Sequence, residues 1–198
     1  YLWNAGMFIF KAKTVTDALA ELILTDPPYG TNTTQELQGN VYTDDPVVAK
    51  DLLDGLGDFA LRALKPTGVL AVFLDHRLVH WGHELFVSKG LTPRGELIWH
   101  SMLGGVKKSW WSNKHHTILL FDKDNHGYFD YSAVPEKKRL STRGKYTLDK
   151  LKKWDSVIDL TLSPTDSERC GYPSQKPIGV LAPIIAVHSR LGDVVTDP

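Results

Sequence analysis

The sequence predicts an α/β fold built on a layered sheet, and three observations carry that reading. Residues 21–25, 69–74 and 117–121 are apolar runs of strand length, and the second is unbroken, as a strand buried on both faces must be. Val48, Leu52, Leu53, Leu56, Phe59, Ala60 and Leu64 recur every three or four residues, which lays an apolar stripe along one side of a helix. Strands and helices alternate, and 198 residues are enough for one substantial core.

Taken in order, residues 2–10 are a short apolar strand, 14–19 fit a capped helical turn, and the strand 21–25 stops at Asp26-Pro27-Pro28, where prolines withhold the ladder's amide hydrogens. The polar stretch 30–43 reads as a mobile surface loop. A helix then runs from Asp45 to Leu64, and Lys65-Pro66-Thr67-Gly68 turns the chain into the strand 69–74. A helix over 78–88 and strands at 95–100 and 117–121 follow. Between 122 and 173 the rhythm gives way to polar, basic sequence punctuated by Gly and Pro, which reads as an insertion at one edge of the domain. Order returns with a helix over 177–189, Pro177 at its first turn, and a strand that begins at Asp193.

Composition narrows the function. No apolar stretch approaches the roughly 18 to 20 residues that span a bilayer, the first residues lack a secretory signal, and a single cysteine, Cys170, excludes a disulfide framework. An intracellular, cytoplasmic setting with no membrane partner is expected. Net charge is zero but uneven: residues 101–154 hold twelve Lys or Arg against five Asp or Glu, a local +7 that the rest of the chain balances. Such a basic middle is either the footprint of a polyanion or a solvated face.

Chemistry concentrates at Asp26-Pro27-Pro28-Tyr29. The exocyclic amine of a nucleobase is a poor nucleophile because its lone pair is delocalised into the ring. A carboxylate and a backbone carbonyl that accept its two hydrogens pull it toward tetrahedral geometry and free that pair. Asp26 supplies the carboxylate, Pro27 and Pro28 leave carbonyls without competing amides, and Tyr29 offers a face for an extruded base. The same four residues also suit a plain proline turn at a strand end.

Asp26-Pro27-Pro28-Tyr29-Gly30 after a strand resembles the catalytic motif of the N6-adenine and N4-cytosine DNA methyltransferases. Tyr172-Pro173-Ser174-Gln175-Lys176-Pro177 resembles the family's motif beside the methionine end of the cofactor, and Gly192-Asp193-Val194-Val195-Thr196-Asp197-Pro198 resembles the start of its cofactor strand. This order, catalytic motif first and cofactor strand last, resembles the permuted beta class. The resemblance implies a Rossmann-like, S-adenosylmethionine-dependent methyltransferase sheet with helices on both faces and a basic target-recognition insertion. It divides the chain into a first part of the catalytic core at 1–121, the insertion at 122–171 and a cofactor-binding segment at 172–198, whose glycine-rich turn is expected beyond residue 198.

The activity so implied is site-specific transfer of a methyl group from S-adenosyl-L-methionine to N6 of adenine in double-stranded DNA. N4-cytosine methylation and a catalytically impaired DNA-binding relative are the alternatives. Asp26 at the head of the motif favours adenine. Ala5-Gly6 stands where the family carries a Gly-Asp or Ala-Asp pair, which bears on one cofactor contact. Asp26, Pro27, Pro28 and Tyr29 are the expected catalytic residues, and Asp26, Ser174, Gln175, Lys176, Asp197 and Pro198 the expected cofactor contacts. Lys107, Lys108, Lys114, Lys137, Lys138, Arg139 and Arg143 are expected on DNA, while no metal is required. A homodimer and a cognate restriction nuclease are compatible partners. Asp75-His76-Arg77 reads equally as a site rim or a helix cap, and Trp110-Trp111, between Lys107-Lys108 and Lys114, as a pair that stacks on bases or wedges into DNA or as part of a core-edge strand.

Overall fold

A computed structural model of the chain describes residues 19–37, 40–101, 108–134, 137–138, 151–152, 154–160, 167–169 and 174–198. The expected strand at 2–10, the helical turn ending at residue 19, Ala5-Gly6 and Cys170 fall outside them, Leu19 excepted.

Ten strands and three α-helices are described: β1 (Ala20–Thr25), β2 (Thr34–Leu37), β3 (Asn40–Thr43), α1 (Pro46–Ala63), β4 (Leu64–Leu74), α2 (Val79–Ser88), β5 (Thr92–His100), β6 (His115–Asp122), β7 (Lys137–Lys138), β8 (Leu151–Lys152), β9 (Val157–Asp159), α3 (Ile178–His188) and β10 (Val195–Thr196). Six form the central sheet in the order β10-β1-β4-β6-β5-β9. β10, β1 and β4 run parallel, as do β5 and β9, while β6 runs antiparallel between β4 and β5. The sheet is therefore mixed rather than wholly parallel, with β6 antiparallel to both of its neighbours.

Alternation along β1 and β4 divides the core in two. Ile23, Leu70, Val72 and Leu74 face Ala49, Leu53, Leu56 and Ala60 of α1 and Phe86 of α2. Leu22, Leu24, Val69, Ala71 and Phe73 face Val180 and Ile184 of α3. Helices thus cover both faces, which explains the unbroken apolar run of β4. Full burial of side chains such as Leu22 or Leu53, each at 0% exposure, contributes about 1.5 to 3 kcal/mol apiece. α1 starts where Asp45 accepts hydrogen bonds from the amides of Val47 and Val48, with Pro46 in the first turn. Among the described residues no helix is long and apolar enough to cross a membrane.

Three readings of the sequence change. Residues 34–43 are not a loop: β2 and β3 pair as an antiparallel hairpin, Thr34 opposite Thr43, whose polar composition concealed it. Lys65-Pro66-Thr67-Gly68 does not end a helix–strand turn but bulges within β4, since Ala20 pairs with Leu64 and Leu22 already with Val69. Gly68 is needed in the bulge because a Cβ there would stand 2.8 Å from the Ala20 carbonyl oxygen. Part of the stretch read as an insertion also belongs to the core: Val157–Asp159 is the edge strand beside β5, and the Tyr128 amide donates to the Thr67 carbonyl.

Candidate active site at the carboxyl edge of the sheet

The three adjacent parallel strands β10, β1 and β4 each lead into an aspartate: Asp197, Asp26 and Asp75. Open α/β sheets bind their ligands beyond these carboxyl ends. After Asp26 the chain turns through half-buried Pro27 and exposed Pro28, and the turn is fixed from outside. The Asp44 carboxylate accepts from the amides of Gly30 (2.7 Å) and Thr31 (3.0 Å) and from the Thr31 hydroxyl (2.8 Å). Gly30 has φ +64°, and a Cβ there would lie 2.8 Å from the Cα of Pro46, so glycine alone lets the turn sit against the start of α1.

Both oxygens of Asp26 are engaged. The Tyr29 hydroxyl donates to Oδ1 at 2.5 Å, and the Lys176 ammonium donates to Oδ2. Lys176 also donates to the Ser174 carbonyl (3.1 Å), and its nitrogen lies 5.5 Å from the Tyr29 ring centroid and 5.7 Å from that of Phe73. Its side chain is only 10% exposed, so the ion pair is largely desolvated. Burial, and then the charge and hydrogen bond of Asp26, hold the Tyr29 phenol well above its ordinary pKa, so it remains a donor. Burial raises the Asp197 carboxyl too, and the charge of Asp26 adds to this, while a hydrogen bond with Thr25 opposes it.

The wall beside Tyr29 is aromatic. His116 of β6 stacks on its cross-strand partner Trp99 (centroids 5.0 Å, 21° between planes) and packs at a tilt against Tyr29 (5.6 Å). Trp99 is fixed by its indole bond to the Leu160 carbonyl (2.8 Å) and by the edge of Phe73. His116 Nδ1 is buried without a hydrogen-bond partner, and burial followed by the Lys176 charge lowers the imidazole pKa, which keeps the ring neutral. Neither this sandwich nor the Lys176–Asp26 pair was legible from the chain, since they join residues of β5, β6 and the segment before α3 to a turn far away in sequence.

Asp75 does not cap α2, whose N-cap Leu78 receives no side-chain hydrogen bond, but fixes the turn between β4 and α2. Its Oδ1 accepts from the Arg77 amide (3.1 Å) and guanidinium (2.6 Å), with His76 Nδ1 at 3.1 Å. Burial pushes its carboxyl up, but these partners outweigh it and the pKa falls below the ordinary value.

The other expected site residues divide. Gln175 donates to the Glu168 carbonyl (2.7 Å), Ser174 is exposed, and Pro198 is exposed beside Asp197. Lys108 is exposed and Lys114 half-buried in the β5–β6 connection, while Lys137 and Lys138 form β7, paired with β8. Lys107, Arg139, Arg143, Tyr172 and Pro173 lie outside the described residues. Trp110 and Trp111 are not in a core-edge strand: they are 75% and 85% exposed, outside any strand.

Among solved structures, the chain is similar to the complex of M1.HpyAVI with SAM (16% identity, TM-score 0.56, 91% of this chain and 71% of that one). It is also similar to the cytosine-N4-specific PvuII DNA methyltransferase (13% identity, TM-score 0.64, 92% and 69%). A third is TTHA0409, a candidate DNA modification methylase of Thermus thermophilus, solved with S-adenosyl-L-methionine (19% identity, TM-score 0.54, 94% and 74%). At these identities they show a shared methyltransferase fold. The model of the N6/N4 DNA methylase family matches residues 20–198, from the first residue of β1 through Asp26 and Lys176 to Asp197, and the chain belongs to that DNA methylase family.

Proposed function

We propose that the protein transfers a methyl group from S-adenosyl-L-methionine to the N6 amine of adenine in double-stranded DNA. The observation that carries this is Asp26, held at the end of a central strand with exchangeable donors on both oxygens. A target amine brings two hydrogens to this place. Asp26 takes one in exchange for the Tyr29 hydroxyl or Lys176, and a carbonyl of the Asp-Pro-Pro turn takes the other, which localises the lone pair on nitrogen. The Tyr29 ring, backed by His116 and Trp99, forms the wall against which an extruded base lies.

The cofactor supplies a methyl group on a positively charged sulfonium. Residues at the strand ends suit such a cation: Asp197 and Asp26 carry acidic groups at the ends of neighbouring strands. Lys176 stands between the two functions, tying the segment before α3 to the catalytic carboxylate. Gln175, bonded to the Glu168 carbonyl, shapes that segment. Lys108 and Lys114, with the basic 137–153 region, supply phosphate contacts, so affinity for DNA should fall steeply as salt rises.

Cytosine N4 is the second reading, since its amine answers to the same clamp and the PvuII enzyme shares the fold. Asp26 at the head of the motif favours adenine. Mass spectrometry of nucleosides from DNA incubated with the protein and labelled S-adenosyl-L-methionine decides. Labelled N6-methyladenine is expected, labelled N4-methylcytosine would transfer the account to the second reading, and no labelled nucleoside would overturn both.

A further inference from the structure

Trp110 and Trp111 are more exposed than any other described tryptophan or phenylalanine. Two indoles left in water expose apolar surface that the fold does not use, and such patches mark binding sites. Their position is specific. The connection between β5 and β6 leaves the carboxyl edge of the sheet at His100 and re-enters it at His115. The Ser101 amide closes its base on the Lys114 carbonyl (2.8 Å). Asn113 Nδ2 lies 3.5 Å from His76 Nδ1, beside Asp75, and His116 packs on Tyr29. The tryptophans therefore stand at the mouth of the site containing Asp26. Exposed Lys108 precedes them, Lys114 follows, and Arg77 lies on the adjoining rim, so the apolar tip has a basic surround.

We infer that Trp110 and Trp111 form the wedge that enters the DNA stack and takes the place of the target base while that base lies against Tyr29. This rests on the methyl-transfer reading and adds how the base is brought out. A base inside a duplex cannot reach Asp26, and extrusion leaves a gap one aromatic ring thick whose neighbours have lost their stacking. An indole fills that gap, as apolar wedges do when they part base steps, while the lysines hold the flanking phosphates. Stacking on one aromatic ring changes an equilibrium by about five- to a hundredfold, enough to decide whether the extruded state is populated.

The test uses Trp110→Ala, Trp111→Ala and the double variant, with duplexes carrying 2-aminopurine at the target position and others whose target base faces an abasic site. Both side chains are exposed, so melting temperatures should match the wild type. The double variant should lose at least about tenfold in 2-aminopurine emission, and as much in methylation of the same duplex with adenine at the target position. It should return to within about twofold of the wild type on the abasic-site duplex, where no base pair resists extrusion. Wild-type extrusion by the double variant, or an equal loss on both substrates, would overturn the wedge. Tryptophan emission gives a readout without methyl transfer: wild-type emission should be quenched by the abasic-site duplex and the residual emission of the double variant should not. Quenching without any methylated product would sink the proposed reaction but not the wedge, whereas equal quenching in both proteins would sink the wedge alone.

Discussion

Asp122 and Asp26 stand at opposite ends of the same sheet, and their partners differ in kind. Asp122 closes β6 at the amino edge, opposite Val69, and is 0% exposed. Its Oδ1 accepts from the Asn125 amide (2.7 Å) and its Oδ2 from the Gly127 amide (2.9 Å), and the Arg94 guanidinium forms an ion pair with Oδ2 (3.3 Å). Two of those donors are backbone groups that cannot leave without unfolding the turn after β6. Glu21 on the same edge is held similarly, by Lys65 and the Val194 amide. At the carboxyl edge the donors to Asp26 are a phenol and an ammonium at the tips of side chains. A carboxylate tied to backbone holds the fold; one tied to side-chain tips can exchange them for a substrate.

The largest effect is expected at Asp26. Asp26→Ala removes a charged acceptor worth about 1.5 to 3 kcal/mol and the alignment it imposes, so single-turnover methyl transfer should fall at least about a hundredfold. The urea midpoint should fall as well, because the largely desolvated Lys176 loses its counter-charge, so the rate is read on the folded fraction. Asp122→Ala should cost about 2 kcal/mol of stability by stripping two amides of their acceptor and Arg94 of its ion-pair partner, with the transfer rate of the folded fraction unchanged. A rate loss matching that of Asp26→Ala would dissolve the distinction.

His116 sharpens it. An unpartnered buried nitrogen is a cost, so His116→Phe, which keeps a ring between Trp99 and Tyr29, should raise stability by about 1 kcal/mol. If the imidazole serves the base, transfer should fall at the same time, and a variant both more stable and fully active would make His116 mere packing.

The smallest effect is in pH. Burial holds His116 and His188 below the ordinary histidine value of 6.5, in His188 despite its bond to the Tyr128 carbonyl. The unfolded chain then takes up protons first, so stability is full above about pH 6.5 and falls as pH drops through the window beneath it. His188→Gln should flatten the decline between about pH 7.5 and 5.5 seen by urea denaturation, and an undiminished decline would place its origin elsewhere.

How much of this the chain reveals depends on how local each signal is. Apolar runs and helical spacing placed β1, α1, β4, α2 and α3 within a few residues, because those elements are buried and their burial dictates their pattern. The hairpin at β2 and β3 has a mostly polar sequence with no clean alternation, so period gave no sign of it, and Val157–Asp159 is too short for periodicity to register. In the site, Asp26 and Tyr29 were legible as a contiguous motif. Lys176 carried a motif of its own, but its place on Asp26 is a tertiary contact, as is the stacking of His116 between Trp99 and Tyr29.

The division proposed for these two aspartates is tested most directly by taking Asp26→Asn and Asp122→Asn through the same pair of assays, single-turnover methyl transfer and urea denaturation. Each change keeps shape and one oxygen while removing the charge. Asp26→Asn should slow transfer by the folded protein at least about tenfold, and Asp122→Asn should lower the midpoint and leave the folded enzyme's rate in place. Transfer at the wild-type rate by folded Asp26→Asn, or an equally slowed rate in folded Asp122→Asn, would contradict this division of roles.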